Sequence, residues 1–121
     1  MKNKLIAIVG VSADSQKYGN KIFVDLLQAG YKVIGVNPKK PVISGQPTVG
    51  LLSEIDQPIE LVLIVTPPKI SLEIIRQAAN LSIKNVWLQP GAESEAVITL
   101  ADKLQLNLTH HQCFMVDQGL W

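Results

Sequence analysis

The sequence predicts a doubly wound α/β fold: a mostly parallel sheet of about five strands with helices on both faces. Two observations carry this. Apolar runs without polar alternation recur at Leu5 to Val9, Val33 to Val36, Leu61 to Val65 and Val86 to Leu88, as in strands buried on both faces. Between them lie stretches whose apolar residues recur at spacings of three and four, the period of amphipathic helices.

Taken in order, the first run follows a basic start and superficially resembles a signal peptide, MKNKLIAIVGV. Its apolar part, Leu5 to Val11, passes directly into Ser12, Asp14, Ser15, Gln16 and Lys17 without a small-residue cleavage site, so a first buried strand is the better reading. Ile22, Phe23, Leu26 and Leu27 form a helical stripe that closes at Gly30, a residue able to adopt the left-handed helix-ending conformation. After the strand at Val33 to Val36, the proline- and glycine-rich segment Pro41 to Gly50 reads as a loop with at most a small edge strand at Thr48 and Val49. The third strand leads into a stripe of Ile70, Ile74, Ile75 and Ala78, with Pro67 or Pro68 in its opening turn. Val97, Leu100, Ala101 and Leu104 mark the next helix, and Glu93 and Glu95 are expected in its first turn, where the dipole favours acids. A short strand at Leu106 to Thr109 completes the sheet. Right-handed crossovers make a Rossmann-like arrangement the economical topology.

The 121 residues, 47% of them hydrophobic, are expected to form one domain over 1–121. The 11 basic and 10 acidic side chains leave a net charge of +1, too little for a uniform field that attracts nucleic acid or an anionic membrane. No stretch approaches the roughly 20 apolar residues of a membrane span. A lone cysteine, Cys113, excludes an internal disulfide framework and suits a reducing, cytoplasmic setting.

In an open doubly wound sheet the ligand crevice lies beyond the carboxyl ends of the strands. Those ends carry Gly10-Val11-Ser12, Asn37-Pro38-Lys39-Lys40, Thr66-Pro67-Pro68, Gln89-Pro90-Gly91 and Gln112-Cys113. Gly10 permits a sharp turn, and Ser12 and nearby amides can meet a phosphate at a helix N-terminus. The loop departs from the dinucleotide fingerprint G-x-G-x-x-G: Ser12 replaces the second glycine, and the third is missing at its spacing. Where NAD-binding units place an acid, GVNPKK offers two lysines, which suit a phosphate on or near the ribose, as in coenzyme A or NADP. A solvated loop is the bland alternative for the same lysines.

The segment IAIVGVSADSQKYGNKIFVDLLQAGYKVIGVNPKK, followed by LVLIVTPP, VWLQPGAESE and a late cysteine, resembles the small bacterial CoA-binding proteins. These are similar in turn to the N-terminal CoA-binding domain of the succinyl-CoA synthetase alpha subunit. The resemblance runs from Leu5 to Cys113 and implies coenzyme A or acyl-CoA as ligand. It implies that Gly10, Val11 and Ser12 contact the phosphates and that Asn37, Pro38 and Lys40 lie along the adenosine 3′-phosphate end. It further implies that Val65, Thr66 and Pro67 flank the adenine or the start of the pantetheine arm, and that Gln89 and Gly91 line the deeper crevice near Cys113. In the family a proline commonly follows the cysteine, whereas Phe114 follows here.

What carries over is binding, because the larger ligases add a phosphorylated histidine and an ATP-grasp partner that this sequence does not contain. His110 and His111 are adjacent, and neighbours on a strand point to opposite faces. With Cys113 they make too few ligands for a zinc site, so neither catalytic nor metal-binding residues are expected. Trp87 reads as core or interface, and Gly119-Leu120-Trp121 as a segment docked on the domain or on a second subunit. The resulting expectation is a non-catalytic module for coenzyme A or acyl-CoA, with a homodimer or another protein partner left open. The alternative is an NADP-linked enzyme or an acyl-CoA ligase-type subunit that needs a partner.

Overall fold

A computed structural model describes residues 2–121. The elements run β1 (Leu5–Val9), α1 (Tyr18–Gln28), β2 (Lys32–Val36), a 3-10 turn (Leu52–Glu54), β3 (Leu61–Ile64), α2 (Pro68–Asn80), β4 (Asn85–Leu88), α3 (Glu95–Lys103), β5 (Asn107–Thr109) and α4 (Phe114–Asp117). The five strands lie in the order β2-β1-β3-β4-β5. Every pairing is parallel, so the sheet is more regular than the mostly parallel one expected.

The apolar runs become strands because both of their faces find a helix. Ala7, Val9, Val62 and Ile64 join Ile74, Ile75 and Ala78 of α2 and Val97 and Ala101 of α3 in one core. Ile6, Ile8, Leu61 and Leu63 face the other way, onto Ile22, Phe23 and Leu26 of α1 and Phe114 and Met115 of α4. Burial of each such large side chain contributes about 1.5–3 kcal/mol, which explains why the unalternating runs tolerate no polar residue.

Gly30 takes a φ of +89°, and the Tyr31 amide returns to the Leu26 carbonyl at 3.0 Å, ending α1 where expected. Pro68 opens α2. The α2 stripe itself is corrected at its first position: Ile70 is 49% exposed and Ser71 is fully buried. Ser71 is tolerated inside because its hydroxyl meets Thr66 Oγ1 at 2.9 Å and the Pro67 carbonyl at 3.2 Å. In α3, Ser94 is the N-cap, accepting from the Val97 amide at 3.2 Å. Glu95 lies in the first turn, while Glu93 precedes the cap and accepts from the Gly91 amide instead. Leu104 falls just beyond α3 and is exposed. The Pro41 to Gly50 loop contributes only a single bridge to the sheet edge, Val36 to Val49.

The 3-10 turn and α4 are not anticipated by the periodicity. Residues 119–121 dock on their own chain, where the Trp121 indole donates to Asp25 Oδ2 at 2.7 Å. Trp87 packs edge-on to Phe114, ring centroids 5.1 Å apart. Among the described residues, no helix is long and apolar enough to cross a membrane.

Candidate functional site

From β1 the chain steps to β2 on one side, and from β3 it steps to β4 on the other, so the loops after β1 and β3 diverge and open a crevice. Gly10 turns the chain out of β1 with a φ of +102°, and a Cβ there would lie 2.5 Å from the Val65 carbonyl oxygen. Gly19 closes the same joint, since a Cβ on it would lie 2.1 Å from the Gly10 carbonyl oxygen. The glycine missing at the dinucleotide spacing is thus supplied further along, and the first turn of α1 presses directly on the strand end.

Between these glycines the loop is shaped by short-range bonds. The Ser12 hydroxyl accepts from the Asp14 amide at 3.0 Å, Asp14 Oδ1 accepts from the Gln16 amide at 2.9 Å, and Asn20 Nδ2 donates to the Ser12 carbonyl at 2.9 Å. The Val11, Ser12, Ala13, Tyr18 and Gly19 amides meet no acceptor among the described residues. They cluster around the N-terminus of α1, which has no side-chain cap and no acid in its first turn. Open amides at a helix start favour an anion.

Asn37 clamps the end of β2 against this loop. Its Nδ2 donates to the Val11 carbonyl at 2.8 Å, and its Oδ1 accepts from the Lys39 amide at 2.8 Å. Lys40 has a φ of +51° and turns toward the 3-10 segment, its Nζ 3.3 Å from Glu54 Oε2.

Two adjoining cavities result. The first, about 440 Å³, is lined by Gly10, Val11, Ser12, Lys17, Tyr18, Gly19, Asn37, Val65, Thr66, Pro67 and Pro90. The second, about 450 Å³, is lined by Tyr18, Ile22, Val65, Gln89, Pro90, Cys113 and Trp121. They share Tyr18, Val65 and Pro90. Gln89 is buried and satisfied: its Oε1 accepts from the Phe114 amide at 2.7 Å, and its Nε2 lies 3.4 Å from Cys113 Sγ.

Most residues named from the sequence therefore meet around one crevice. Pro38, Lys40 and Gly91 line neither cavity. Pro90, read among the strand ends, joins the lining, and Lys17, Tyr18, Gly19, Ile22 and Trp121 are additions, signalled only by their closeness in sequence to a strand end, to the α1 stripe or to the apolar tail.

The histidines depart from expectation. Strand β5 ends at Thr109 and His111 is left-handed with a φ of +59°, so the two rings do not diverge but pack with centroids 4.7 Å apart. His111 Nε2 lies 4.0 Å from Glu93 Oε1. Among the described residues, no group of three or more His, Cys, Asp or Glu side chains is placed to hold a metal ion.

Fold and crevice define a parallel α/β domain whose open site lies at the carboxyl ends of β1 and β3. The chain belongs to the CoA-binding domain family, whose profile matches residues 4–119. It is similar to a conserved hypothetical protein from Pyrococcus furiosus, with a TM-score of 0.90 and 35% identity, covering 94% of this chain and 98% of that one. The uncharacterized protein YneT of Bacillus subtilis is 28% identical over 94 residues, 78% of this chain and 70% of YneT. An ADP-forming acetate–CoA ligase from Archaeoglobus fulgidus is 27% identical over 95 residues, which are 78% of this chain but only 14% of the ligase. The resemblance to CoA-binding proteins and to ligases of the succinyl-CoA synthetase type holds.

Proposed function

We propose that the crevice binds coenzyme A or acyl-CoA and that the domain carries or senses this ligand without chemistry of its own. The supporting observation is the order of features along the crevice. Open amides suited to an anion line the first cavity, a mostly apolar cavity adjoins it, and a thiol that does not line the first stands in the lining of the second. Coenzyme A presents the same order, from phosphates through pantetheine to thiol.

On this reading the open amides of Val11 and Ser12 receive the pyrophosphate, which lies against Gly10, with Lys17 at the same rim. Asn37, Pro38 and Lys40 accompany the 3′-phosphorylated ribose, Lys40 exchanging Glu54 for the phosphate. Val65, Thr66 and Pro67 flank the adenine or the start of the arm, which continues past Pro90. Gln89 holds the segment bearing Cys113 in place, and Gly91 shapes the turn beneath it. In the second cavity the Cys113 thiol has the Gln89 amide beside it, and in the first the Ser12 hydroxyl is engaged by the Asp14 amide, arrangements that suit binding. Similarity to a ligase supports one rival, a subunit completed by a partner protein.

Calorimetric titration of wild type and Lys40→Ala with coenzyme A, dephospho-CoA and NADP tests the reading. Wild type should prefer coenzyme A over both of the others. The variant should lose about 1.5 kcal/mol toward coenzyme A, the lower end for a hydrogen bond to a charged group, and little toward dephospho-CoA. Preference for NADP overturns the ligand assignment; equal loss toward both CoA forms removes only the role of Lys40.

A further inference from the structure

Resting on the coenzyme A reading, we infer that the second cavity receives an uncharged, apolar acyl group carried on the CoA thiol, with Trp121 as the wall that selects it. The cavity continues from the first through Tyr18, Val65 and Pro90 and includes Cys113, so it lies where the thiol end of the arm would arrive. Among the described residues, no charged side chain lines it. Lys21 Nζ is 5.8 Å from the Tyr18 ring centroid but outside the lining. Behind the Trp121 indole stands Asp25, whose carboxylate accepts from it at 2.7 Å. A dicarboxylic acyl group would bring a second negative charge toward Asp25 with no cation in the lining to meet it, and burying an unpaired charge is costly.

Trp121 is held by few contacts. Its ring lies 6.0 Å from that of Tyr18 at 42° and it remains 44% exposed. The backbone beneath it is anchored: the Leu120 and Trp121 amides both donate to the Met115 carbonyl, at 2.8 and 3.3 Å. The indole is thus a wall set on a firm base by a single side-chain hydrogen bond, and its removal opens the cavity without unthreading the fold.

The experiment compares dissociation constants of coenzyme A, butyryl-CoA and succinyl-CoA for wild type, Trp121→Ala and Trp121→Phe, read as ratios to coenzyme A within each protein. Wild type should bind butyryl-CoA about fivefold to tenfold tighter than coenzyme A, as expected for partial burial of its methylenes, and succinyl-CoA no tighter than coenzyme A. Trp121→Ala should bring the butyryl ratio within about twofold of one, while Trp121→Phe, which keeps an apolar wall, should preserve most of it. A flat ratio in wild type, or one unchanged in Trp121→Ala, overturns this inference while leaving the coenzyme A reading intact. Absence of coenzyme A binding by wild type would remove that reading and this inference together.

Discussion

A methyl group on Gly19 would stand 2.1 Å from the Gly10 carbonyl oxygen, and one on Gly10 would stand 2.5 Å from that of Val65. In both cases the obstacle is backbone, which cannot swing aside as a side chain would. Gly19→Ala should therefore destabilise the protein by roughly 1–3 kcal/mol through overpacking, although alanine is favoured over glycine within a helix by about 1 kcal/mol. A lower urea midpoint with an unchanged slope is the expected result; an equal or higher midpoint would mean the joint is looser than described. Gly10 was legible from its position after an apolar run. Gly19 was not, because its need for hydrogen arises from how closely α1 approaches β1, a tertiary distance that no local spacing encodes. Lys40 illustrates the same limit: its charge is visible in the sequence, but its pairing with Glu54 across the loop is not.

The segment from Cys113 to Trp121 is attached to the sheet by the buried side chains of Phe114 and Met115 and by hydrogen bonds of Gln89, just after β4. Gln89 Oε1 takes the Phe114 amide and Gln89 Nε2 faces Cys113 Sγ. Gln89→Ala should leave that buried amide unpaired, at a cost of about 1–3 kcal/mol, and should free the cysteine. The expected outcome is a lower melting temperature together with faster reaction of Cys113 with a thiol reagent; unchanged thiol kinetics would show that other contacts hold the segment. The strands were legible because residues buried on both sides leave an unbroken apolar run, and α1 to α3 because a stripe betrays one buried face. Ile70 misled because it continues the apolar spacing while pointing out, its inward place taken by Ser71 with a satisfied hydroxyl. Helix α4 has four residues, too few to display a period. The departure of the histidines likewise follows from the short β5, which ends before the alternation expected of a strand reaches them.

Across the whole molecule, the strand order turns separate loops into one site. Because β1 sits between β2 and β3, the chain leaves β1 toward β2 and leaves β3 the opposite way, toward β4, and the open amides after β1 come to face Val65 to Pro67 after β3. Strand-end reasoning recovers this edge of the site, since topology alone brings those residues together. It does not recover the wall formed by Tyr18 and Trp121, which depends on the fold of the segment beyond the sheet. On the proposed reading coenzyme A spans both cavities, phosphates at the β1 loop and thiol beside Cys113. Amide NMR during titration with coenzyme A tests that claim at every residue of this 13.2 kDa chain. Saturable shifts are expected at Gly10 to Ala13 and at Tyr18 and Gly19, with a second group at Gln89, Cys113 and Trp121. Saturating ligand that shifts neither group, or that shifts residues only at the opposite end of the strands, would contradict it.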